Sequence, residues 1–133
     1  LIPSSKETLV ISYTCVGTND LDRARRFYEP LFEVLGAKLM NASDRSLMFG
    51  IDPKQPMFMV LTPNDGQAAV PGNGTMVALT AKGKEQVEAL HAKAMALGGK
   101  DEGAPGLRGD RYYMAYFRDL DGNKLAAFAY IKP

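Results

Sequence analysis

The 133-residue sequence is poor in the residues from which disulfides, metal centres and membrane anchors are built: it holds one cysteine, Cys15, one histidine, His91, and no tryptophan. A single cysteine excludes an intramolecular disulfide and fits a reducing, cytoplasmic setting. The longest uninterrupted apolar run, Leu125–Ile131, is far below the ~20 residues a membrane-crossing helix needs. The segment Leu1-Ile2-Pro3-Ser4-Ser5-Lys6 has neither the basic nor the apolar stretch of a secretory signal. Charge of one sign is also missing. Sixteen Lys and Arg against fifteen Asp and Glu leave +1, so no broad field draws in nucleic acid or an anionic membrane, and neither is expected as a partner.

What is present describes an ordinary globular domain. The chain is 46% hydrophobic and 23% charged, and its length suits one domain with a core of its own. Leu9–Val16 is rich in β-branched and apolar residues and predicts a strand. Thr18-Asn19-Asp20, with Asp22 after it, offers capping oxygens and first-turn acid for a helix. Leu21, Ala24, Phe27, Leu31, Val34 and Leu35 then recur at steps of three and four, one face of an amphipathic helix. Gly36 is placed to end it, and Pro30 predicts a kink or a break.

Three short strands are expected at Ala37–Asn41, Ser46–Gly50 and Met57–Thr62, and a connector at 63–74. The order then recurs. Thr75–Ala81 predicts a strand, Gly83–Leu97 a second amphipathic helix, and Lys100–Glu102 a short strand followed by a glycine-rich loop over 103–109. Arg111–Arg118 and Lys124–Ile131 predict two strands joined by a turn containing Asp121-Gly122. The sum is a β-α-β-β-β order used twice, about 9–62 and about 75–131, in an α+β chain whose halves can enclose a cleft.

Three stretches give this order a likeness. Asn19-Asp20-Leu21-Asp22-Arg23-Ala24-Arg25-Arg26-Phe27-Tyr28, Leu35-Gly36-Ala37 and Arg118-Asp119-Leu120-Asp121-Gly122-Asn123-Lys124-Leu125 resemble the first helix, its end and the last hairpin of the glyoxalase/bleomycin-resistance/dioxygenase superfamily, the vicinal oxygen chelate proteins. Leu120 stands where the family usually has proline. The resemblance implies one glyoxalase-like domain of two βαβββ modules. Their curved mixed sheets would form a half-barrel around a ligand cleft, often within a homodimer.

In the enzymes of that family a divalent metal lies in the cleft, held by His, Gln or Glu. The resemblance places those positions on Tyr13, near Val60, on Met76 and on Ala126. None of the four is a side chain of the imidazole, carboxylate or thiolate type that such a cation selects. The expectation is therefore no metal and no other cofactor. His91 reads as a structural residue of the second helix, and Cys15, on the strand face of Tyr13, as a small buried hydrophobe.

Strand alternation assigns the cleft Ile11, Tyr13 and Cys15 from the first strand, Phe58, Val60 and Thr62 from the fourth, Met76, Ala78 and Thr80 from the fifth, and Lys124, Ala126, Phe128 and Tyr130 from the last. Such a lining suits a flat apolar or aromatic small molecule. Arg108, Arg111 and Arg118, near Tyr112, Tyr113 and Tyr116, offer forks for a carboxylate or phosphate, while Arg23, Arg25 and Arg26 read as the wet face of the first helix. The candidate ligand-binding set is Tyr13, Phe58, Val60, Met76, Ala126, Phe128, Arg111 and Tyr113, with Tyr13 the one catalytic candidate. Three functions follow: a non-enzymatic small-molecule binder, a glyoxalase-type lyase or isomerase with a displaced metal or a tyrosine acid–base group, or a non-catalytic structural or regulatory member. An unperturbed phenol titrates near ~10, so acid–base work at neutral pH requires a strongly altered tyrosine.

Overall fold

The computed structural model describes residues 9–132; the segment 1–6 read above for a secretory signal lies outside them. The first module runs β1 (Tyr13–Gly17), α1 (Leu21–Glu33), β2 (Lys38–Ala42), β3 (Ser46–Gly50) and β4 (Met57–Leu61). The second runs β5 (Met76–Thr80), α2 (Lys84–Ala96), β6 (Lys100–Arg108), β7 (Tyr112–Arg118) and β8 (Lys124–Tyr130). Each module forms one four-stranded sheet, ordered β1-β4-β3-β2 and β5-β8-β7-β6. The pairs β1/β4 and β5/β8 are parallel and the remaining pairs antiparallel. This is the expected α+β architecture of two βαβββ units, with both sheets open.

Local chemistry accounts for the elements. The Asp20 carboxylate caps α1 by accepting from the Arg23 backbone N–H at 3.0 Å. Gly36, at φ 74°, supplies the left-handed residue that lets the chain leave α1 for β2. Two expectations are corrected. First, Pro30 makes no break: α1 runs through it from Leu21 to Glu33. The donor that proline lacks would have served the carbonyl of Arg26, an exposed residue, near the helix end, so little is lost. Second, the glycine-rich stretch after Glu102 is not a loop: β6 extends to Arg108. Its register shifts between Asp101 and Gly103 and again between Gly103 and Gly106. At the edge of its sheet such bulges, and Pro105, break no ladder on the outer side.

One core serves both modules. Phe27, Leu31, Phe49 and Val60 of the first are buried in the same cluster as Leu79, Leu90, Phe117 and Leu125 of the second. Tyr28 packs against Phe49 and Phe58 of the first sheet, with ring centres 6.2 and 5.2 Å apart. The second module reaches back through the turn between β7 and β8. The Asp119 carboxylate accepts from the Tyr28 hydroxyl at 2.5 Å and from the backbone N–H groups of Asp121 and Asn123 at 2.9 Å. Asp121 accepts from the Thr18 hydroxyl at 2.6 Å, the Asn19 N–H at 3.0 Å and the Arg23 guanidinium at 2.8 Å. Asn123 donates to the Gly17 carbonyl at 2.8 Å. Gly122, at φ 90°, gives the turn the shape that presents all three side chains. Arg23 is thus no part of a purely wet helix face: it ties the modules together through Asp121.

Candidate functional site

Each sheet has a helix side and an open side. In β1 and β4 the paired residues Tyr13 and Met57, Cys15 and Met59, and Gly17 and Leu61 share a face. Tyr13, 56% exposed, and exposed Cys15 identify it as the open one. Phe58 and Val60 alternate to the other side. Phe58 packs tilted against Tyr28 and Phe32 of α1, and Val60 is fully buried. The assignment of Phe58 and Val60 to the face of Tyr13 is therefore corrected, and Met57 and Met59 take their place. Cys15 is corrected as well: it is exposed, though partial desolvation pushes its thiol above the ordinary value, away from a reactive thiolate.

In the second sheet Met76, Ala78 and Thr80 of β5 pair with Lys124, Ala126 and Phe128 of β8. Tyr116, Met114 and Tyr112 of β7 pair in turn with Ala126, Phe128 and Tyr130. These residues make the open face of that sheet, as the alternation of β5 and β8 predicts. Ala126 forms its floor and is itself fully buried, while Met76 and Tyr130 are exposed. Arg111 lies at the far end and donates to the Tyr130 hydroxyl at 2.9 Å.

Tyr113 is on the wrong side for the role the sequence suggests. Its register partners are Leu107 and Ala129, and its hydroxyl donates to Glu88 of α2 at 2.6 Å. That hydrogen bond first, then desolvation and the Glu88 charge, raise its phenol above the ordinary value. His91 also stays structural, with Nε2 3.0 Å from the Asp101 carboxylate. The Gly103 N–H, and after it His91, hold Asp101 below the usual carboxylate range.

Two concavities matter. One, of about 700 Å³, lies where the modules meet and is lined by Phe32, Leu35 and Phe58 from the helix side and by Met57, Ala78 and Thr80 from the open faces, among others. Of the eight expected ligand-binding residues only Phe58 reaches it. The other, of about 580 Å³, lies at the end of the open face of the second sheet, between the 71–75 chain, Met76, Arg118 and Lys124. Both volumes suit a small ligand.

The residues present do not fit a divalent metal of the family type. Tyr13, Met76 and Ala126 stand on the open faces, Val60 turns into the core, and among the described residues no three of His, Cys, Asp and Glu gather to hold an ion.

Two βαβββ modules with one open face each define the class to which the chain is built. The family model of the Glyoxalase/Bleomycin resistance protein/Dioxygenase superfamily matches residues 10–127. A glyoxalase/bleomycin resistance protein from Albidiferax ferrireducens T118 is 37% identical, with a TM-score of 0.84 over 92% of this chain and 98% of that one. The chain belongs to this superfamily. Lactoylglutathione lyase from Agrobacterium tumefaciens, at 20% identity and TM-score 0.65 over 96% and 94% of the two chains, shares the fold. So does a glyoxalase-related enzyme from Fulvimarina pelagi, at 17% and 0.71 over 90% and 87%. Among curated proteins none matches. No helix of the described residues is long and apolar enough to cross a membrane.

Proposed function

We propose that this chain is a superfamily member with a degenerate metal site that binds a small apolar or aromatic molecule on the open faces of its sheets, without a metal, in the cytoplasm. The observation that carries the reading is the make-up of those faces. Where the resemblance places metal ligands, they present a phenol at Tyr13, a thioether at Met76 and a methyl floor at Ala126, beside Met59 and Phe128. Soft and aromatic groups of this kind hold a flat ring by packing.

The test is elemental analysis of the protein after incubation with nickel, zinc, manganese and ferrous iron in turn, paired with a binding screen of aromatic compounds. No metal above background, with aromatic binding weakened by Met76→Ala, is the expected result. About one metal retained per chain would overturn the reading and favour a glyoxalase-type lyase. A homodimer belongs to the same proposal, because among the described residues β1 and β5 each end a sheet with one edge unpaired and carry exposed Tyr13 and Met76.

A further inference from the structure

The open face of the second sheet gathers cations around one ring. Lys124 of β8 has its ammonium 5.2 Å from the centre of the Tyr116 ring, and Arg108 of β6 its guanidinium 5.4 Å from it. Arg118 of β7 is the direct cross-strand partner of Lys124. Like charges set opposite each other on one face destabilise a sheet unless something negative lies between them.

The protein supplies only part of that charge. Glu102 sits 3.4 Å from Arg118, whose guanidinium also donates to the Gly122 carbonyl at 2.8 Å. Arg108 donates to the Ala104 carbonyl at 2.9 Å. Among the described residues neither Arg108 nor Lys124 has a carboxylate within 4 Å. The nearby acids of the turn, Asp119 and Asp121, are engaged by Tyr28, Thr18 and Arg23. The backbone makes room for the arrangement: a Cβ on Gly103 would lie 2.8 Å from the Tyr116 ring and 3.3 Å from the Arg108 guanidinium. The 580 Å³ cavity opens beside Arg118 and Lys124.

We propose that Lys124 and Arg108, which flank the Tyr116 ring, and Arg118, which faces Lys124 across the strands, form an oxyanion-binding corner. It receives the carboxylate or phosphate end of a small ligand whose apolar body lies along Met76, Ala78 and Phe128. The inference rests on the ligand-binding reading for the apolar body and stands apart from it for the anion.

The experiment is calorimetric titration of the full chain at low ionic strength with benzoate, with uncharged benzamide of the same shape, with phenyl phosphate and with inorganic phosphate. Benzoate or phenyl phosphate is expected to bind at least about tenfold more tightly than benzamide, the range of one charge-assisted contact. The tighter of the two identifies the headgroup. Lys124→Gln is expected to remove that advantage, bringing the charged and uncharged rings to equal affinity. Arg108→Gln provides a second variant should the first fail to fold. Equal binding of charged and uncharged rings, or an advantage that survives both substitutions, overturns the corner and leaves the apolar-ligand reading standing. Inorganic phosphate bound through Lys124 with no binding of benzamide supports the corner and overturns the apolar reading. No binding of any anion overturns the corner.

Discussion

At the scale of single residues, Tyr28 joins the two modules. Its ring packs against the first sheet while its hydroxyl donates to Asp119 of the second module. Burial first, then the Asp119 charge and hydrogen bond, push its phenol well above the ordinary value. A phenol raised in the folded state adds stability that is complete below the unfolded value of about 10 and is lost as pH climbs through the folded one. Tyr28→Phe leaves Asp119 short of a donor and is expected to lower stability by about 1–3 kcal/mol in denaturant titrations near neutral pH. The same variant should also lose part of the wild type's alkaline decline above pH ~10. An alkaline profile identical to wild type would show that another group sets it. Nothing in the sequence around Tyr28 marks this role, because its partner lies 91 residues away. A Phe-Tyr pair on a helix reads equally well as plain core.

At the scale of elements, β4 shows where reading by alternation loses its footing. Met57-Phe58-Met59-Val60-Leu61 is apolar throughout, so the period of two is present in space but carries no sign in the sequence. Only the register against β1 decides that Phe58 and Val60 turn to α1 and that Met57 and Met59 turn outward. β5 and β8 were legible because Thr80 and Lys124 punctuate them. β6 was hidden for the opposite reason: Gly103, Pro105 and Gly106 read as a loop, whereas an edge strand tolerates them at its bulges. The facing of β4 has a direct check. Phe58→Ala should destabilise the protein by about 3–5 kcal/mol in urea unfolding, and Met59→Ala by much less while altering ligand binding. The reverse order would restore the alternation first expected.

At the scale of the whole molecule, the duplicated order of elements was written plainly in hydrophobic period and turn chemistry, and with three short motifs it led to the family. The candidate site was only half legible. Tyr13, Met76, Ala126 and Phe128 lie on open faces, but bringing Lys124 and Arg108 to the Tyr116 ring, and Arg118 opposite Lys124, needs three strands in register. The unpaired edges of β1 and β5 carry a prediction for the assembly. Sedimentation equilibrium should give twice the 14.5 kDa chain mass, and Tyr13→Lys, placing charge at the β1 edge, should shift the population toward monomer. A monomer at all concentrations would mean that each chain carries its faces alone.

The turn between β7 and β8 has a consequence for how the protein is made. Every strand and helix of the first module has been synthesised once Leu61 has left the ribosome, but the groups that complete it have not. The hydroxyls of Tyr28 and Thr18 and the guanidinium of Arg23 wait for Asp119 and Asp121, about a hundred residues further along. Contacts so distant in sequence form late, after the cost of closing a long loop has been met. In the nascent first module those groups turn to water, and the β1–α1 junction gains its last protein partners only when the final hairpin closes.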